Sequence, residues 1–213
     1  MKIVFNTYPV AFQCPGGGEI QLEKSRQALE QLGHDVVLFD QWSTDLSSAD
    51  VVHHFSVQGG SSNFCGYVKN QNIPLVISPI LWLSDYIDQY PMEEIGHLLA
   101  IGDVICPNSN QETERFLSHF DVPRDKFIVT RNGVDRRFYQ PSQAAMFRKH
   151  FDIEGGFILC VGNIEERKNQ HRLAMAAAAI DMPLVLIGHV RDQGYFDHLM
   201  QSAGNNTQYL GAL

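Results

Sequence analysis

Positive charge is scarce in this chain. Its 213 residues carry 16 Lys plus Arg against 24 Asp plus Glu, a formal net charge of −8 at pH 7 with His neutral. No Lys/Arg-rich run is present to replace the counterions around a nucleic-acid backbone, so nucleic acid is not an expected partner, although a local phosphate site remains open. Cysteine is sparse as well. Cys14, Cys65, Cys106 and Cys160 are scattered, with no CxxC or other ligand spacing, which argues against a disulfide framework or a thiolate metal centre. Reduced thiols in a cytoplasmic protein are the simplest account. Long apolar runs are also missing. The opening Met1-Lys2-Ile3-Val4-Phe5-Asn6 holds only a strand-length apolar run, too short for a signal peptide, and no stretch approaches the roughly 20 apolar residues of a membrane-spanning helix. The expectation is a cytoplasmic location with at most peripheral membrane association, because an acidic chain gains little from anionic lipid.

Hydrophobic residues are plentiful, at 44%, so a substantial core is available to one large domain or two small ones. Strand and helix patterns alternate along the chain. Lys2 to Asn6 reads as a buried strand; a long loop, Thr7 to Pro15, leads to Gly16-Gly17-Gly18-Glu19 and an amphipathic helix closed by Gly33. Further strands are predicted at 34–40, 50–55, 73–78, 101–107 and 126–130, with Ser56 to Ser62 as a Gly/Ser loop. Helices are predicted from about Met92 to Ala100 and from Ser109 to near Phe120, where Ser109 and Glu112 have capping-box spacing. Asn132-Gly133 is a turn signal. This alternation is the pattern of a doubly wound, Rossmann-like parallel sheet.

The pattern changes after Asp135. Residues 141–156, with a helix over Gln143 to Phe151, read as a linker between a first domain, 1–140, and part of a second, 157–213. The apolar run Phe157 to Val161 reads as a buried strand. It passes through Gly162-Asn163-Ile164-Glu165-Glu166-Arg167-Lys168 into a helix beginning near Asn169. Unpaired N–H groups and a partial positive charge at that helix start, with Lys168 adjacent, make an anion seat; the competing reading is a solvated strand-to-helix loop. Strand 184–187, helix 195–203 and strand 207–210 complete the series. His53 and His54 alternate across their strand, so at most one faces a cleft rim while the other packs inside. Trp82, Tyr86 and Tyr90 line either a groove or the interior.

These residues resemble the nucleotide-sugar glycosyltransferases of the GT-B fold, most closely the retaining family 4, or group 1. The likeness rests on Gly16-Gly17-Gly18-Glu19 with the helix exit Gly33-His34-Asp35-Val36, on Asp50-Val51-Val52-His53-His54, and on Asn132-Gly133-Val134-Asp135 with Phe138 and Pro141. It continues through Val161-Gly162-Asn163 to Lys168-Asn169 and Leu184 to Gly188. The resemblance implies two Rossmann-like domains, with the acceptor on the first and a nucleoside diphosphate sugar mainly on the second. Gly17, Gly18, Gly162, Asn163, Arg167 and Lys168 are then the donor-phosphate residues, and Glu19, His53, His54 and Asn132 are possible cleft residues. It further implies a glycan or lipid-linked hydroxyl acceptor, retention of configuration, and no metal or other cofactor, since lysine, arginine and helix dipoles stand in for the cation.

The chain departs from the family pattern at Asn163, where members usually carry arginine. The acidic E-x7-E region that holds sugar and ribose is expected beyond Leu213, which makes the donor site in this chain incomplete. Two other readings stay open. One is a noncatalytic glycan- or partner-binding module of glycosyltransferase descent. The other is an NAD-dependent oxidoreductase, suggested by Gly16-x-Gly18 and by Asp40 at the end of the second strand but opposed by Gln21 and the long loop after Asn6.

Overall fold

A computed structural model of the chain describes residues 1–13, 15–141 and 144–212. Cys14 and Gln143, the latter the expected start of a helix, lie outside the described residues. The chain divides into two compact units, Met1–Asp135 and Arg136–Leu213. The segment read as a linker is therefore counted within the second unit.

Unit 1 runs β1 (Lys2–Asn6), α1 (Gly17–Gln31), β2 (Asp35–Leu38), β3 (Val51–Phe55), α2 (Ser62–Asn70), β4 (Leu75–Ser78), α3 (Met92–Ile101), β5 (Val104–Ile105) and α4 (Asn110–Leu117). The strands form one parallel sheet in the order β2-β1-β3-β4-β5. Side chains alternate between the two faces of each strand, and both faces are apolar, so each needs its own cover. Ile3, Phe5, Val36 and Phe55 pack with Leu22 of α1. Val4, Val52, Leu75 and Ile77 pack with Cys65 and Val68 of α2, Ile95, Leu98 and Leu99 of α3, and Phe116 of α4. The N-cap predicted at α4 forms, but the box is not closed in the expected way: Ser109 Oγ accepts the Glu112 N–H at 3.1 Å, whereas Glu112 Oε2 accepts the N–H of Asn108, one residue before the cap, at 2.7 Å.

Three expectations for this unit need correction. Helix α2 has no counterpart in the sequence reading, because Ser62-Asn63-Phe64-Cys65-Gly66 is a poor helix former and the burial of Cys65 and Val68 decides its conformation. The sixth strand, 126–130, reduces to one parallel bridge, Ile105 to Phe127, with Ile128 and Thr130 donating to Ile105 and Pro107 at 2.8 Å. Its start is taken up by a 3-10 turn, Arg124–Lys126. Asn132-Gly133 is no positive-φ turn; neither residue adopts φ above zero.

Unit 2 opens with a 3-10 turn, Arg136–Tyr139, and continues α5 (Ala144–Phe151), β6 (Ile158–Val161), α6 (Gln170–Ala179), β7 (Leu184–Ile187), α7 (Gln193–Ser202) and β8 (Thr207–Tyr209). Its sheet is parallel in the order β6-β7-β8. Leu184 and Leu186 pack with Ala174 and Ala177 of α6 and Leu199 of α7. Strand β6 is not the fully buried strand its apolar run predicts. It forms an edge, and Leu159 and Val161 are 49% and 68% exposed while Ile158 and Cys160 face the core. Among the described residues no helix is long and apolar enough to cross a membrane.

Candidate functional site

In an open parallel sheet, ligands bind beyond the carboxyl ends of the strands, where the chain turns from one side of the first strand to the other. In unit 1 that place lies between β1 and β3. A cavity of about 270 Å³ sits there, lined by Thr7 and Tyr8 after β1, Gly18 and Glu19 in the first turn of α1, Ser56, Gln58 and Gly59 after β3, and Ile80 after β4. Three of these residues have positive φ: Ser56 at 88°, Gly59 at 95° and Ile80 at 49°. For serine, and more so for β-branched isoleucine, this backbone is strained, and such strain concentrates at ligand sites. At Gly59 no side chain fits, because a Cβ would lie 2.7 Å from Tyr8 Cβ.

Gly17 and Gly18 open α1, so their N–H groups lack intrahelical acceptors. A Cβ at Gly17 would meet nothing within 4 Å, whereas one at Gly18 would lie 3.3 Å from Ile80. Glu19 lines the cavity but is already engaged. Its carboxylate accepts the Gly16 N–H at 2.6 Å and the Tyr8 hydroxyl at 3.1 Å, so a negative charge stands beside the helix start.

The two histidines line neither this cavity nor the cleft beside it. His53 Nε2 lies 2.9 Å from Ser78 Oγ on the neighbouring strand, and its ring stacks on Phe55 and meets Phe5 edge-on. His54 is fully buried, with Nδ1 3.3 Å from Asn6 Nδ2. Burial lowers His53 to about 3 and His54 to about 4, each from an ordinary 6.5, so both stay neutral at pH 7. His53 stays partly exposed and His54 does not, on a central strand whose two faces both pack against apolar clusters. Asn132 is exposed in an irregular segment, and nearby Asp135 pairs with Lys24 of α1 at 3.2 Å. Tyr90 shapes the loop after β4 through hydrogen bonds to Ser84 N–H and Trp82 carbonyl, leaving Trp82 and Tyr86 exposed.

In unit 2 the strand-to-helix segment forms as the pattern predicts, with additions. Gly162 follows β6, a 3-10 turn spans Glu166–Lys168, and Asn169 enters α6 in the left-handed region at φ 57°. Residue Gln170, which carries no motif signal, holds this loop: it is 1% exposed and its Nε2 donates to the Asn163 carbonyl at 2.7 Å. Arg167 is tied to Glu165 at 2.6 Å, with its side chain 74% exposed. Lys168 is exposed and has no ion pair among the described residues; its charge lowers the Cys160 thiol, against the larger opposing effect of burial. Glu166 and Asn169 also border a cavity of about 400 Å³ with His171, Arg172, Tyr195 and His198.

The glycines ending β6 and β7 lie backbone to backbone. A Cβ on Gly188, at φ 147°, would fall 2.0 Å from the Gly162 carbonyl oxygen. Gly188→Ala is therefore expected to destabilise unit 2 by about 2 kcal/mol or more and to displace the Gly162-Asn163 turn. An unchanged thermal transition of this variant would contradict the close approach. Among the described residues no three His, Cys, Asp or Glu side chains gather into a metal-ligand group. Asp40, the candidate ribose acid of the oxidoreductase reading, instead accepts from the Trp42 N–H and the Ser43 hydroxyl, and ten residues separate β1 from α1.

Comparison of the sequence with protein-family models gives no match, and comparison with curated protein sequences gives none either. Solved structures do match over the whole chain. Anabaena HepE, in complex with UDP and glucose, superposes with a TM-score of 0.73 at 18% identity, covering 100% of this chain and 70% of that one. A glycosyltransferase from Rickettsia africae gives 0.71 at 13% identity, covering 100% and 68%. The UDP-GlcNAc 2-epimerase of Neisseria meningitidis, bound to UDP-GlcNAc, gives 0.62 at 13%, covering 100% and 72%. At such identities the likeness speaks to architecture alone: the chain is an α/β protein of two Rossmann-like parallel sheets with the GT-B fold.

Proposed function

We propose that the chain belongs to a nucleotide-sugar glycosyltransferase that moves a hexose from a nucleoside diphosphate sugar to a hydroxyl acceptor with retention of configuration. The observation that carries this reading is the segment from β6 to α6, where the exposed ammonium of Lys168, with no ion pair among the described residues, stands immediately before the first turn of a ten-residue helix; the His171 N–H of that turn donates to the Tyr195 hydroxyl at 2.9 Å, and Gln170 and Arg172 carry the other N–H groups without intrahelical acceptors. That arrangement suits a diphosphate, whose charge grows as the glycosidic bond to the leaving group breaks. The fold shared with HepE, a structure containing UDP and glucose, adds support for a uridine nucleotide. Gly162 and Asn163 offer backbone close to the phosphates, and Gln170 holds their loop. Arg167, already paired, has the lesser part. The reaction uses no divalent cation on this reading, because lysine and helix N-terminus supply the positive charge.

The test is incubation of the protein with UDP-hexoses and hydroxyl acceptors in EDTA, with products followed by NMR. The expected product is a glycoside with the anomeric configuration of the donor. An inverted anomer would refute retention. A donor epimerised at C2 without any glycoside would replace transfer by epimerase chemistry, and UDP binding with no turnover on any donor would favour a noncatalytic module.

A further inference from the structure

A second cleft of unit 1, of about 590 Å³, adjoins the first cavity and shares Thr7 and Tyr8 with it. That volume lies within the usual range of small-molecule sites. Phe12, Leu38, Phe39, Trp42 and Phe64 supply its apolar lining. Trp42 is 86% exposed, Phe12 48% and Leu38 40%. Single exposed apolar residues are ordinary on protein surfaces, but several converging on one concavity mark a binding surface.

Trp42 is also held in place before anything binds. Asp40 Oδ1 accepts the Trp42 N–H at 3.1 Å, Asp40 Oδ2 accepts the Ser43 hydroxyl at 2.5 Å, and the Asp40 N–H donates to Thr44 Oγ1 at 2.8 Å. The turn that carries the indole is thus fixed, so a ligand that covers Trp42 has no backbone there to order. The charge of the lining selects among ligands. Among the described lining residues Asp40 is the only charged one, with no Lys, Arg or His, so a phosphate or carboxylate would be repelled without compensation from them.

We propose that this cleft seats the non-reacting end of the acceptor, and that the acceptor is an uncharged hydroxyl compound built on a flat apolar ring system. The assignment rests on the glycosyltransferase reading for the word acceptor, and on the cleft alone for the chemistry of the occupant. Thr7 and Tyr8 border both this apolar chamber and the cavity containing Gly18 and Glu19.

Calorimetric titration of the protein with 2-naphthol, naphthalene-2-sulfonate and methyl glucoside tests this, with UDP titrated in parallel. The expected result is binding of 2-naphthol, at least tenfold weaker binding of the sulfonate, and a loss of roughly tenfold or more in 2-naphthol affinity for Trp42→Ala. Trp82→Ala, outside the cleft, and UDP affinity in Trp42→Ala should both match the unsubstituted protein. Failure of 2-naphthol to bind, equal binding of the sulfonate, unchanged affinity in Trp42→Ala, or preference for methyl glucoside would each overturn the assignment. If 2-naphthol behaves as expected while UDP does not bind, the chemistry of the cleft stands and the glycosyltransferase reading fails; the reverse outcome separates them the other way.

Discussion

Lys168→Ala should lower sugar transfer roughly 10²-fold, the usual cost of removing a charge stabiliser from a leaving group, and weaken UDP binding in the same protein. Two cations are adjacent in this loop, and their surroundings distinguish them. Arg167 already meets Glu165 at 2.6 Å, so part of its charge is spent within the loop, and its exposed position screens the rest. Lys168 has no such partner among the described residues, closes the 3-10 turn, and stands next to the first turn of α6. Arg167→Ala is accordingly expected to cost less than about tenfold by the same measure. Because Lys168 is exposed, its loss should leave the melting temperature within error, which separates a binding defect from unfolding. Equal UDP affinity in Lys168→Ala and the unsubstituted protein would remove this lysine from the site.

Acidification should destabilise unit 1 well before most carboxylates protonate. The folded values of about 3 for His53 and about 4 for His54 lie below the ordinary 6.5 because burial penalises the imidazolium, with each histidine close to the other. The unfolded chain then takes up protons that the folded chain refuses. Stability from this source is complete above about pH 6.5 and is lost as the pH falls through that value toward the folded values, which amounts to about 4 kcal/mol between pH 7 and pH 5. Urea titration with pulse proteolysis, read on peptides from residues 1–135, would measure it. The double variant His53→Gln with His54→Met should start less stable at pH 7 yet show a much flatter profile. A profile equally steep in the variant would mean that other groups cause the acid sensitivity.

How far the site could be read from residues alone depended on the range of the interactions involved. Gly33 after α1, the Ser109 and Glu112 cap, and the strand-loop-helix around Lys168 are local devices. Each is written in spacing and residue type, because backbone preferences and first-turn hydrogen bonds act over a few residues. Helix α2 was not legible, since its own residues prefer other conformations and only burial against the sheet makes it a helix. Alternation placed at most one of His53 and His54 toward a rim, and the packing shows which of them is buried outright: His54 is, whereas His53 stays partly exposed.

Alternation of strand and helix, local caps and an acidic composition were thus enough to specify a doubly wound α/β chain with a lysine at a helix start. What they could not specify was which distant segments meet. The cavity at Ser56, Gly59 and Ile80, the packing of Gly188 on Gly162, the grip of Gln170 on the Asn163 loop, and the apolar cleft beneath Trp42 each join residues from separate elements. The order β2-β1-β3-β4-β5 brings the loops after β1, β3 and β4 to one edge, and that order is a property of long-range packing, since each strand of an apolar parallel sheet pairs acceptably with several others.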